Sequence, residues 1–159
     1  VNIYDEYKLT LPSKSLFSLA YIFGKKGLLS FDYETTKFNN SKFDDNNGKD
    51  SYLNSLNNTI ENKLAGHSES FRFGGEYRIK NLNLRAGYFS YKGPDSSLDN
   101  KISGVSAGLG LNYDYMEFDI GITKSNNYNQ NRLYSKGLTN QYSIDKNILS
   151  LYASFTIKI

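Results

Sequence analysis

The stretch "FRFGGEYRIKNLNLRAGYFS", residues 71–90, decides how the rest of the chain is read. Phe71, Phe73, Tyr77 and Ile79 share one phase of a two-residue period, opposite Arg72, Glu76 and Arg78. After Lys80-Asn81 the alternation resumes, with Leu82, Leu84, Ala86 and Tyr88 opposite Asn83 and Arg85. Successive side chains point to opposite faces in a strand, so this stretch is a β-hairpin with one apolar and one charged face.

The same period runs outward in both directions. In "LLSFDYETT" (28–36), Leu29, Phe31 and Tyr33 oppose Ser30, Asp32, Glu34 and Thr36. "SGVSAGLGLN" (103–112) sets Val105, Ala107, Leu109 and Leu111 against Ser106, Gly108, Gly110 and Asn112. "MEFDIGIT" (116–123) sets Met116, Phe118, Ile120 and Ile122 against Glu117, Asp119 and Gly121. The chain closes on "SLYASFTIKI" (150–159), where Leu151, Ala153, Phe155, Ile157 and Ile159 share a face. Half of every strand is polar, which explains a hydrophobic content of only 38% and a mean hydropathy of −0.57 in a chain too aromatic, at 15%, to be disordered.

Connections sharpen the class. Short turns at 24–27, 80–81 and 112–114 alternate with long polar loops at 39–67, 92–101 and 126–145. Short turns at one end and long loops at the other are the plan of a transmembrane β-barrel. The segments 28–38, 68–79, 82–91, 102–112, 115–125 and 147–159 reach the roughly 9–11 residues a spanning strand needs. Tyr21, Phe23, Tyr77, Tyr113 and Tyr115 near the short turns, with Phe38, Tyr88 and Tyr91 toward the long loops, would form two aromatic girdles. The expected fold is therefore an all-β, transmembrane antiparallel barrel of about seven strands. "EYKLTLPSKSLFSLAYIF" (6–23) is read as one long strand from residue 7 to 23, against a break at Pro12, whose missing N–H is disfavoured inside a sheet.

Within the first long loop, "YLNSLNNTIENKLA" (52–65) spaces Leu53, Leu56, Ile60 and Leu64 at helical intervals. A short helix is expected there, either capping the barrel rim or offering an apolar platform near a ligand entrance. Asp32, Glu34, Arg72, Glu76, Arg78, Arg85, Glu117 and Asp119 would line the interior, as braces paired across strands or as a selectivity lining.

Other classes find no footing. The 19 Lys and Arg and 16 Asp and Glu are dispersed, so no basic cluster marks a nucleic-acid surface. The chain has no Cys and a single His, His67, which gives neither a thiolate metal set nor a catalytic pair. "GKKG" (24–27) lacks phosphate-loop spacing. No enzyme activity, cofactor or metal is expected.

Three runs carry a family likeness: "YKLTLPSKSLFSLAYIFGKKGLLSFDYE" (7–34), "SFRFGGEYRIKNLNLRAGYFSYKGP" (70–94) and "GLGLNYDYMEFDIGI" (108–122). Together with the apolar-ended last strand, they resemble the C-terminal half of the FadL-like outer-membrane transport proteins for hydrophobic compounds. Leu11-Pro12, 73–79 and 84–88 are the most specific parts. The resemblance implies a fourteen-stranded barrel, a plug from the N-terminal segment, and passage of long-chain fatty acids or other apolar molecules through a Gram-negative outer membrane. Neither plug nor the other strands lie in these 159 residues, which are expected to be one domain forming the C-terminal part of a longer barrel. Membrane lipid and a hydrophobic small molecule are the implied partners. The outer-membrane assembly machinery would read Phe155, Ile157 and Ile159, although the family pattern usually ends on an aromatic residue. Two alternatives stay open: a complete eight-stranded barrel with residues 1–11 as its own strand, structural or adhesive in role, or a scaffold that docks a partner in secretion or assembly.

Overall fold

Alternation of two becomes a meander in which successive strands of the main sheet lie side by side and antiparallel. The computed structural model describes residues 6–45, 51–64, 66–95, 98–134, 137 and 140–158. Its strands are β1 (Tyr7–Thr10), β2 (Ser13–Ile22), β3 (Gly27–Lys37), β4 (Lys42–Asp45), β5 (His67–Ile79), β6 (Leu82–Lys92), β7 (Lys101–Asn112), β8 (Met116–Arg132) and β9 (Gln141–Ile157), with one helix, α1 (Ser51–Lys63). Seven strands form one antiparallel sheet in the order β2-β3-β5-β6-β7-β8-β9, and β1 pairs only with β4. The sheet is open: among the described residues, β2 and β9 are its two edges and do not pair with each other. This is not the closed eight-stranded arrangement, in which the chain's first and last strands would meet; residues 1–5 of that reading lie outside the described residues.

Register gathers most of the apolar residues on one side, with Leu16, Leu28, Phe89 and Tyr152 falling on the other. The rows Leu19↔Phe31↔Phe73↔Tyr88↔Val105 and Leu84↔Leu109↔Ile120↔Ala153 run across neighbouring strands. Phe118 meets Phe155, and Met116 meets Ile157, where β8 joins β9. None of these residues enters a core, because no hydrophobic residue among those described is buried. Alternation along β7 and β8 is inverted relative to a soluble sandwich: Leu109, Ile120 and Ile122 are exposed while Gly110, Asp119 and Thr123 are partly or fully covered. The chain exposes 12153 Å², where a compact soluble monomer of its 18.1 kDa would expose about 8,100 Å². An open single-layer sheet exposes both its faces, and the apolar one is left without the burial that stabilises a soluble domain.

Turns separate as the sequence suggested. The tight connections carry Gly24 at φ 60 and Lys80 at φ 53. At the β2–β3 turn the Lys26 amide donates to the Phe23 carbonyl at 3.2 Å, and at the β7–β8 turn the Tyr113 amide donates to the Met116 carbonyl at 2.8 Å. Residues 38–66, 93–100 and 133–140 make the long connections at the opposite end.

Three expectations are corrected. The segment 7–23 is not one strand: Leu11 and Pro12 interrupt it, since Pro12 has no N–H to donate. Both pieces nevertheless pair with the same returning chain, Ser13↔Lys37 below and Thr10↔Lys42 above. Two residues thus face a four-residue insertion that forms a 3₁₀ turn, Phe38–Asn40, held where Asn40 Nδ2 donates to Ser13 Oγ at 3.0 Å. The loop 126–145 is mostly strand, because β8 and β9 continue together to Arg132↔Gln141. Asparagine and glutamine on both faces masked that ladder: they mimic a loop in composition, yet Asn126 donates to Asp145 Oδ1 at 2.6 Å across the strands. The loop 39–67 holds β4 as well as the helix.

Candidate functional site: the charged face

Opposite the apolar rows lies a face on which all eight charged residues singled out from sequence fall. Register sets Asp32 against Arg72 and Glu76 against Arg85, and places Glu34, Arg78, Glu117 and Asp119 in the same phase. Their pairing is uneven. Arg85 Nε donates to Glu76 Oε2 at 2.7 Å and its Nη1 to Asp119 Oδ1. Arg78 Nε donates to Glu76 Oε1. Glu34 pairs with Lys14 at 3.0 Å. Glu117 lies 3.7 Å from Lys158, which also donates to Asn112 Oδ1 at 2.8 Å. Asp32 and Arg72, though opposite each other, form no ion pair.

Arg85 on β6 and Asp119 on β8 are two strands apart, farther than directly opposed side chains reach. They meet because β7 between them presents glycine on this face. A Cβ at Gly110 would lie 2.5 Å from Asp119 Oδ1 and 3.3 Å from Arg85 Nη1. Gly110 is therefore the gap through which the guanidinium crosses, and Asn83 beside it is only 7% exposed. This bridge was missed in the sequence; the one signal for it was that Gly104, Gly108 and Gly110 share the phase of the charges.

At mid-height the face bears no charge at all. Ser30, Gly74, Gly87, Ser106, Thr123 and Ser150 follow one another across six strands in register. Their small side chains leave a trough of about 690 Å³, bounded by Arg72, Phe89, Arg85 and Tyr152. The Glu76–Arg85–Asp119 bridge closes one side of it, and Phe89, lying over Gly104, the other.

At the long-connection end, Leu53, Leu56, Ile60 and Leu64 of α1 and its C-terminal edge are half-buried, and the helix packs on β4. Asn57 supplies the polar part of that contact. The Phe43 amide donates to Asn57 Oδ1 at 2.8 Å, and Asn57 Nδ2 donates to the Phe43 carbonyl at 2.7 Å. One side-chain amide thus takes the place of a neighbouring strand on the free edge of β4. Phe155 and Ile157 stand on the apolar face of β9; Ile159 lies outside the described residues. Among the described residues no group of His, Cys, Asp and Glu is arranged to hold a metal.

Comparison with protein-family models, curated proteins and solved structures finds no match to the chain.

Proposed function

We propose that the sheet is part of the wall of an outer-membrane β-barrel channel of FadL-like kind, carrying hydrophobic compounds such as long-chain fatty acids. One observation carries this reading: an exposed apolar face, with the charge of Lys124 set between Val105 and Leu149, backed by a charged face, with no buried hydrophobic residue among those described. In hydrocarbon every backbone N–H and C=O needs a protein partner, which a continuous ladder supplies everywhere except at its edges. The edges β2 and β9 run in the same direction, because six antiparallel pairings separate them. Antiparallel closure then takes an odd number of additional strands, and seven more give the fourteen of the family.

In this reading the apolar face meets lipid and the charged face lines the lumen. Glu76, Arg78, Arg85 and Asp119 brace the wall, Arg72 stands free toward the passage, and α1 sits at the outer rim. The strand that ends at Phe155 and Ile157 is what the assembly machinery would engage. Uptake of a labelled long-chain fatty acid by cells, with and without the protein, tests the activity. Dependence of uptake on the protein is expected, and equal uptake in both would overturn the transport assignment.

A further inference from the structure

The outward side of the short-turn end carries a cluster that neither barrel closure nor transport requires. Tyr21, Phe23 and Tyr77 form a continuous aromatic row, with ring centroids 6.4 Å apart for Tyr21 and Phe23 and 6.5 Å for Phe23 and Tyr77. The row is packed tightly enough that a Cβ on Gly27 would lie 2.8 Å from the Phe23 ring. Immediately below it the β2–β3 and β5–β6 turns are tied side by side, the Arg78 amide donating to the Lys26 carbonyl at 2.7 Å. Lys25 and Lys26 stand in the β2–β3 turn, exposed and without ion-pair partners among the described residues. Lys80, in the β5–β6 turn, instead lines a polar hollow on the charged face with Glu76, Arg78, Asn83 and Glu117. On the same face as the aromatic row, farther up the sheet, Ala107 leaves a hollow of about 520 Å³ among Leu84, Leu109, Ile120, Ile122 and Leu151.

We infer that this corner is a binding site for an anionic phospholipid. Its phosphate sits at Lys25 and Lys26, its glycerol region lies against Tyr21, Phe23 and Tyr77, and an acyl chain runs up into the hollow at Ala107. The inference rests on the apolar face being in a bilayer. Lysine below an aromatic row is the order in which a membrane interface presents phosphate and then hydrocarbon.

The test uses the protein refolded into phosphatidylcholine vesicles carrying a minority of phosphatidylglycerol, then extracted gently, with the retained lipid identified by mass spectrometry. Phosphatidylglycerol should be enriched about fivefold over its share in the vesicle, the factor that one lysine–phosphate contact supplies at a surface. The variant K25Q/K26Q should lose the enrichment. K80Q, whose side chain lies on the charged face, should keep it. Protease protection in the same vesicles reports insertion separately. Insertion without enrichment, or enrichment that survives in K25Q/K26Q, overturns the lipid site and leaves the bilayer reading standing. Failure of the unaltered protein to insert overturns both.

Discussion

Gly110 shows how much of this molecule depends on an atom that is absent. The Arg85 guanidinium reaches Asp119 over β7 only where no Cβ stands, so Gly110→Ala should separate the pair. Arg85 and Asp119 keep 39% and 26% of their side-chain surface exposed, which limits the stability cost to about 1 kcal/mol. The larger expected effect is electrostatic. Asp119 freed beside the passage should move the reversal potential of a reconstituted channel toward cation selectivity, and an unchanged potential would argue that the bridge does not face the passage. Lys80 offers the opposite case, a side chain where glycine fits better. At φ 53 it bears the left-handed penalty that glycine avoids, so Lys80→Gly should raise stability by roughly 0.5–1 kcal/mol after the loss of unfolded-state restriction. Thermal unfolding measures both. The phases of Glu76 and Arg85 were legible in the sequence because directly opposed strand residues share a face. The reach of Arg85 to Asp119 was not, since it depends on the register of a third strand.

At the scale of elements, legibility follows polarity contrast. β5, β6 and β7 were readable nearly to their ends because apolar residues alternate with charged or polar residues and glycine. The outer part of β8, from Asn126 to Arg132, was not, because asparagine and glutamine occupy both phases and no contrast remains to reveal a period. Helix α1 was readable from Leu53, Leu56, Ile60 and Leu64, whereas the four residues of β4 are too few for any period to show. Their junction is held by Asn57, and two hydrogen bonds of about 1 kcal/mol each bind it to Phe43. Asn57→Ala should therefore speed hydrogen exchange at the Phe43 amide by more than about tenfold. Asn57→Asp keeps the acceptor and should protect that amide better than alanine does. Equal protection in all three proteins would mean that β4 is stabilised by β1 alone.

For the whole molecule, the size of a substitution's effect should depend on which face bears it. Leu109 and Ser106 sit three residues apart on β7, on opposite faces. Leu109→Arg places a charge on the apolar face and should cost about 2–4 kcal/mol in a bilayer. Ser106→Arg enters the trough among small polar residues and should cost far less, while narrowing the passage. Denaturant unfolding from vesicles separates the two, and equal costs would remove the distinction between faces. Antiparallel alternation made this two-faced character visible from the residues alone. The open edges β2 and β9 were not visible, because pairing between distant segments leaves no local trace.

The most direct measurement is a cysteine scan along β8 from Glu117 to Thr123, in a chain that has no cysteine of its own. Each position carries a spin label, and the protein is placed in vesicles with oxygen dissolved in the lipid or a nickel chelate confined to water. Labels at Phe118, Ile120 and Ile122 should relax with oxygen, and those at Glu117, Asp119, Gly121 and Thr123 with the chelate, the two profiles running out of phase with a period of two. Profiles without that alternation, or chelate access at every position, would contradict a sheet whose apolar face is turned to lipid.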